Sequence, residues 1–310
     1  MYTHRQKKRI NSYSQYLQDI FNCKVYKITL DAGFSCPNRD GTISKNGCIF
    51  CDSGGSFSQA HSNTLAIEEQ LETGILQLKN RFKAEKFISY FQAFSNTYGD
   101  IKRLKQVYDQ GVSHHDVVGL SIGTRPDCVD EEKLDLIASY KEKHLVWVEY
   151  GLQSIHNKTL SFINRGHTFE DFVRAVDMTK QREINVCAHV IIGLPGETHE
   201  DIMKTARTLA ELGINGVKIH LLCVLKNTEL ENLYNAGQIR LLGMDEYVNT
   251  VCDFLELLPP SVSIHRLAGN GLQKLLVAPQ WLGEKFKVLN MIDRELEKRD
   301  SWQGKFINVL

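Results

Sequence analysis

The chain reads as an α/β protein built from parallel strands. The expected architecture is an open, partial (βα)6 barrel of the TIM type, followed by a C-terminal helical and extended extension. Three observations predict it. Six short runs rich in β-branched and aromatic residues recur between residues 24 and 225, the composition expected of buried strands. Amphipathic helical patterns fall between the runs, and strands alternating with helices form parallel βα units. A closed barrel needs eight units on roughly 250 residues, so six leave the sheet open.

The elements follow in order. Residues 1–23 form a basic amino-terminal segment, with Arg5, Lys7, Lys8 and Arg9 and no acidic residue before position 11. The strand runs are Lys24 to Leu30, Phe87 to Gln92, Val117 to Ile122, Leu145 to Tyr150, Val186 to Ile192 and Val217 to Leu222. Leu134, Ile137 and Ala138 mark a helix ahead of the fourth run. Phe169, Phe172, Val173 and Val176 keep the i, i+3, i+4, i+7 spacing of a buried helix face. Ile202, Ala206, Leu209 and Ala210 repeat it with one position of drift. Both helices open with a capping pair, Thr168 with Asp171 and Thr198 with Asp201. After residue 225 the rhythm changes. Residues 226–310 hold helical stretches, an extended run from Ser261 to Leu267 and a charged helix around Asp293 to Arg299. They are expected to cover the barrel rather than to fold alone.

Composition excludes several classes. The 310 residues carry 37 Lys and Arg against 37 Asp and Glu, for a formal net charge of zero. No global field steers such a protein to nucleic acid. With 42% hydrophobic and 24% charged residues, disorder is excluded as the main state. No run of 18 apolar residues suggests a membrane span. No apolar secretory core follows the basic start, so the expected location is the cytoplasm.

The eight cysteines fall at 23, 36, 48, 51, 128, 187, 223 and 252. A reducing compartment keeps them as thiols. Cys128, Cys187, Cys223 and Cys252 sit in apolar or helical contexts and read as small core residues; Cys23, after Phe21, reads the same way. Cys36, Cys48 and Cys51 differ. Their spacing is Cys-x11-Cys-x2-Cys, on the loop after the first strand. That loop lies at the strand's C-terminal end, where parallel-barrel enzymes place their chemistry. Three readings stay open for this trio. A structural zinc needs a fourth ligand, and only Cys23 or His61 offers one, neither at a usual spacing. Three thiolates suit a [4Fe–4S] cluster with one iron open to a substrate or cofactor. The third reading is a chance grouping.

Further motifs follow a predicted strand or open a helix: Gly123-Thr124-Arg125-Pro126-Asp127, Glu149-Tyr150-Gly151-Leu152-Gln153-Ser154, Asn164-Arg165-Gly166-His167-Thr168 and Ile192-Gly193-Leu194-Pro195-Gly196-Glu197. With the cysteine loop, they make the chain resemble the radical S-adenosylmethionine (SAM) superfamily over nearly its whole length. It is similar in particular to the radical SAM subunit of Elongator and to a bacterial family of about this length. Two features depart from those patterns. The commonest superfamily motif is Cys-x3-Cys-x2-Cys, and the Elongator subunit adds an acetyltransferase domain for which this chain has no room. Acetyl-CoA chemistry is therefore not expected.

The resemblance implies a [4Fe–4S] cluster on Cys36, Cys48 and Cys51, SAM as cofactor, and an electron donor such as flavodoxin or ferredoxin. It implies reductive SAM cleavage to a 5′-deoxyadenosyl radical, followed by hydrogen abstraction from the substrate. By motif position, Phe50 lies beside the SAM adenine. Ser95 and Asn96 meet the amino group of the SAM methionine, Glu149 and Gln153 read ribose and methionine polar groups, Arg165 pairs with the methionine carboxylate, and Gly193 lets the backbone approach the adenine. Arg125 and Asp127 form either a turn pair or a substrate contact. Lys218 and His220 share one face of the last strand and point at substrate if that face is inward. The implied substrate is a tRNA. The implied step converts carboxymethylaminomethyl to aminomethyl on carbon 5 of the wobble uridine. The basic start, a second cluster of Lys79, Arg81, Lys83 and Lys86, and the aromatics Phe94 and Tyr98 are compatible with RNA. Two alternatives stand beside this: a radical SAM enzyme acting on a small metabolite, and a non-catalytic iron–sulfur or zinc protein.

Overall fold

A computed structural model of the chain describes residues 8–55, 65–269 and 274–307. Arg5, Lys7 and His61 lie outside them. Helix α1 (Tyr13–Phe21) comes first; the Ser12 hydroxyl caps it by accepting the Gln15 N–H. The expected strand runs then appear as β1 (Val25–Leu30), β2 (Lys86–Phe91), β3 (Val117–Thr124), β4 (Leu145–Gln153), β5 (Asn185–Ile192) and β6 (Gly216–Leu221). Between them lie α2 (Ile67–Phe82), α3 (Ile101–Gly111), α4 (Glu131–Ala138), α5 (Asn157–Phe162), α6 (Phe169–Gln181) and α7 (His199–Glu211). The reciprocal hydrogen bonds of both capping boxes are present, Thr168 with Asp171 and Thr198 with Asp201.

The strands pair in parallel in chain order, and the sheet curls into a half-barrel. One strand is added to the six. The extended run near residue 263 becomes β8 (Ser263–Arg266), parallel to β6 at the far edge. The short β7 (Val224–Leu225) and β9 (Leu276–Ala278) pair antiparallel outside this sheet. Helices α8 (Glu229–Asn235), α9 (Met244–Glu256) and α10 (Lys285–Lys298) complete the C-terminal part; the charged helix expected near residue 293 is the second half of α10. Among the described residues, no helix is long and apolar enough to cross a membrane.

Strand alternation divides the sheet into two faces. On β4, Val146, Val148, Tyr150 and Leu152 are at most 2% exposed and pack outward under the helices. Burying each such side chain contributes about 1.5–3 kcal/mol. The alternate residues face the barrel interior. At its lower end Trp147 meets Tyr13 of α1 edge-on, with ring centroids 5.6 Å apart, and Leu17, Ile88 and Cys187 fill the remaining space. The described part of the basic amino-terminal segment is thus the floor of the barrel, closed by a buried aromatic plug. Above the floor the interior turns polar.

Candidate active site

At the C-terminal mouth a cavity is lined by Cys36, Cys48 and Cys51 from the loop after β1, and by Glu149, Gln153, His189, Lys218, His220 and Arg266 from the strands. The loop is shaped by short backbone bonds. Arg39 N–H donates to the Cys36 carbonyl (2.8 Å) and Cys51 N–H to the Cys48 carbonyl (3.0 Å). Asn38 is wholly buried; its Nδ2 donates to the Asn164 carbonyl at 2.6 Å and to the Cys48 sulfur at 3.5 Å. Arg165 Nη1 donates to the same sulfur at 3.5 Å, and Arg39 Nη2 to the Cys51 carbonyl at 3.1 Å. N–H donors aimed at a cysteine sulfur favour the thiolate and tune a metal centre.

The donor set fits an iron–sulfur cluster. It consists of three sulfurs on one cavity wall, with amide and guanidinium hydrogens directed at one of them. Among the described residues, the groups compact enough to surround one ion, with ligand atoms within 4.8 Å of one another, are His114–His115–Asp116 and Glu149–Cys187–His265; the three cysteines are not among them. A tetrahedral zinc with Zn–S bonds near 2.3 Å holds its sulfurs about 3.8 Å apart.

The polar layer below the mouth centres on Glu149, whose side chain has no exposure. Glu149 sits in the middle of β4, not at its end as the motif position suggested. Its Oε1 accepts from Lys27 Nζ and from Ser121 Oγ (2.5 Å). Its Oε2 accepts from His189 Nε2 (2.7 Å) and Lys218 Nζ (2.8 Å). Burial alone raises a carboxyl pKa, but the attraction of Lys218 and Lys27 and the His189 hydrogen bond overcome it and hold Glu149 well below the usual range. Lys218 also donates to the Tyr90 hydroxyl at 2.9 Å. Burial lowers its pKa to about 8, partly offset by Glu149. Burial and Lys218 together bring His189 down to about 4 despite its hydrogen bond to Glu149. His220, on the cavity wall, is held well below the usual histidine range by burial and by Arg266. Lys218 and His220 therefore do face inward.

Backbone irregularity positions two more wall residues. A register shift between Gly151 and Gln153 bulges the end of β4, and Gln153 takes φ 75°. Phe94, just past β2, takes φ 59°. Such conformations cost non-glycine residues about 1–3 kcal/mol each. At Gly151 a Cβ would lie 2.7 Å from Arg165 Nη2. The missing side chain lets the Arg165 guanidinium reach the Gly151 carbonyl at 2.6 Å. His167 Nε2 accepts from Arg165 Nε at 2.9 Å. These contacts, with Cys48, occupy Arg165.

Of the other candidates, Phe50 and Arg125 line the cavity. Ser95, Asn96, Asp127 and Gly193 do not line it. Ser95 bonds Thr124 Oγ1 at 2.9 Å, and Asn96 Nδ2 donates to the Gly123 carbonyl at 2.8 Å; both are fully buried and hold the β2 and β3 ends together. Asp127 receives both Nε and Nη2 of Arg125, at 2.9 and 2.7 Å, the turn-pair arrangement. Gly193 has φ 88°, and a Cβ there would meet Leu242 at 3.1 Å. Cys128, Cys187 and Cys252 are buried, but Cys223 lies on the cavity wall. The Lys79 cluster is partly neutralised: Lys79 and Lys86 both reach Asp116, at 2.8 and 3.0 Å, and hydrogen bonding to Lys79 leads in lowering its pKa to about 2. Lys27, Tyr90, His189 and Arg266 were not singled out from the sequence. A polar residue at an alternate position within an apolar strand was the available signal for Lys27 and His189.

Comparison with known proteins places this geometry. The model of the Radical SAM superfamily matches residues 41–209, and that of the Radical_SAM C-terminal domain matches residues 214–298. The uncharacterized protein YtqA of Bacillus subtilis is 42% identical over 98% of this chain and 94% of its own length. The tRNA uridine(34) acetyltransferase of Methanocaldococcus jannaschii is 28% identical over 50% of this chain, which spans 29% of that relative. Among solved structures, the archaeal Methanocaldococcus infernus Elp3 with an N-terminal deletion aligns with a TM-score of 0.69 and 19% identity, over 90% of this chain and 64% of the other. At that identity the likeness shows the fold alone.

Proposed function

The chain belongs to the radical SAM superfamily, and from that premise we propose that it matures the carbon-5 side chain of a tRNA wobble uridine, converting carboxymethylaminomethyl to aminomethyl. Proteins of the superfamily are enzymes that use a [4Fe–4S] cluster and SAM, which together supply a 5′-deoxyadenosyl radical when bound. This chain's residues do the rest. Cys36, Cys48 and Cys51 hold the cluster. Asn38 and Arg165 direct N–H donors at the Cys48 sulfur. Hydrogen abstraction from the carbon between the nitrogen and the carboxylate gives a radical that both groups stabilise. Loss of one further electron to a one-electron oxidant, such as an oxidised iron–sulfur centre, and of a proton to solvent would give an imine. Its hydrolysis breaks the carbon–nitrogen bond, releases the two-carbon unit as glyoxylate and leaves the aminomethyl group. The buried aromatic plug of Trp147 and Tyr13 closes the barrel below the polar layer.

The observation that carries the reading is the convergence of three thiols and a buried, charged polar layer on one cavity at the mouth of the half-barrel. The wobble-uridine assignment draws support from the partial likeness to an enzyme named for uridine 34. A second reading, a radical SAM enzyme acting on a small metabolite, draws support from the pairing of Lys79 and Lys86 with Asp116, which weakens one expected RNA contact. Nucleoside mass spectrometry of tRNA from cells lacking the gene separates the two. Accumulation of the carboxymethylaminomethyl form is expected. An unchanged wobble profile, in cells with no alternative enzyme, refutes the tRNA reading.

A further inference from the structure

Charge does not balance on the wall formed by β5, β6 and β8. Parallel register sets His189 beside Lys218 and Lys218 beside Arg266, and all three line the cavity. The one carboxylate among its described lining residues is Glu149, and two ammonium groups, Lys27 and Lys218, already share it. Arg125 is neutralised by Asp127. Arg39 and Arg165 serve the cysteine loop. Arg266 is left over. Among the described residues no carboxylate lies within 4.0 Å of its guanidinium and no hydrogen-bond partner is recorded, although it stands half-buried on the wall. The His220 ring, 5.4 Å from that of His189, likewise has no hydrogen-bond partner among the described residues. Cations facing a partly desolvated cavity without a counter-charge are costly, and a guanidinium offers a planar fork that matches a carboxylate.

We propose that Arg266, with Lys218 and His220 beside it, is the binding site for a carboxylate of the substrate, on the wall formed by β6 and β8. SAM brings one carboxylate against a sulfonium and an ammonium, so its net charge adds to the excess, and its carboxylate is the competing partner that the test separates. The proposal deepens the wobble-uridine reading and rests on it for the ligand's identity, since a carboxymethylaminomethyl group ends in a carboxylate on a carbon attached to an amine. N-methylglycine is the smallest probe that carries that grouping on a secondary amine.

The test is isothermal titration of the cluster-loaded, full-length protein with N-methylglycine, N-methylglycinamide, inorganic phosphate and SAM. The proteins compared are wild type, Arg266→Gln, Arg266→Lys and the surface control Arg240→Gln, with circular dichroism to check folding. N-methylglycine should bind wild type and the control alike. Arg266→Gln should weaken it by about tenfold or more, the worth of a hydrogen bond to a charged group, and Arg266→Lys should retain part of the affinity. The amide should bind poorly to all four. Equal binding of acid and amide, equal binding by Arg266→Gln, or no binding to wild type overturns the proposal. So does a pattern in which Arg266→Gln loses phosphate or SAM and not N-methylglycine, which would assign the guanidinium to a nucleotide phosphate or to the methionine carboxylate. Conversion of the wobble side chain by wild type is measured alongside. Arg266-dependent probe binding without conversion supports the carboxylate site and refutes the tRNA reading; conversion without such binding refutes the site alone.

Discussion

Replacing Glu149 by Gln keeps the size of the side chain and removes the charge on which the interior depends. The carboxylate is fully buried, while the side chains of Lys218 and Lys27 are 6% and 18% exposed, so solvent does little to screen the change. Removing one partner of a buried pair costs about 3–5 kcal/mol, because the other charge is left uncompensated. Lys218 provides a relief. Its pKa is already down to about 8 with Glu149 raising it, so without the carboxylate it sheds its proton near neutral pH. For 310 residues the loss corresponds to a fall in melting temperature of about 5–8 °C. Calorimetry of the metal-free chain at pH 7 measures it. Adding Lys218→Met to Glu149→Gln should recover part of the loss, since an apolar replacement removes the stranded charge. An unchanged melting temperature in Glu149→Gln, or a further fall in the double variant, would refute the picture of one carboxylate holding two lysines.

Three further outcomes are expected. Replacing Cys36, Cys48 or Cys51 by Ala should abolish the about four irons per chain expected of a [4Fe–4S] protein, whereas Cys187→Ala and Cys252→Ala should retain them; colorimetric iron analysis of anaerobic preparations decides, and stoichiometric zinc in iron-replete wild type would contradict it. Arg165→Gln removes one of the two N–H donors to Cys48 and should weaken cluster retention by about 10–100-fold, read as the rate of iron loss to a chelator; retention equal to wild type would contradict this. Acid should destabilise the fold. His189 is held at about 4 in the folded chain against about 6.5 unfolded, so the unfolded state binds the extra proton between those values. Stability should therefore drop by up to about 3 kcal/mol as pH falls through that window. His220 and His265 act in the same direction. His189→Asn should flatten the profile of melting temperature against pH; an identical slope would contradict the assignment.

Local rules made much of this molecule legible. The strand runs stand out because their outward residues, such as Val146, Val148 and Tyr150, are apolar in alternation, and the two capping boxes mark helix starts through chemistry confined to four residues. The cysteine loop was legible for the same reason: its three cysteines are close in sequence and follow a strand end. The seventh strand was not. Ser263–Arg266 is four residues long, and what makes it part of the sheet is its register with β6, across a separation of 47 positions from Gly216 to Ser263 in the pairing, a non-local fact. Arg266 and His265 enter the interior only through that pairing. Ser95 and Asn96 misled for a related reason. Small polar residues after a strand suit a ligand site and a buried structural knot equally, and only the Thr124 and Gly123 contacts distinguish the two. Glu149 was found by its motif, but its partners Lys27, His189 and Lys218 come from three other strands and become neighbours only when the sheet curls.

The most direct measurement is a single reaction. Cluster-loaded protein is incubated anaerobically with SAM, a reductant and tRNA carrying carboxymethylaminomethyluridine, and 5′-deoxyadenosine and wobble nucleosides are quantified over time. The expected result is aminomethyluridine appearing in step with 5′-deoxyadenosine, both lost in Cys48→Ala. Release of 5′-deoxyadenosine with the wobble uridine unchanged would contradict the tRNA assignment and favour a small metabolite; no 5′-deoxyadenosine from fully loaded protein would contradict the proposed chemistry itself.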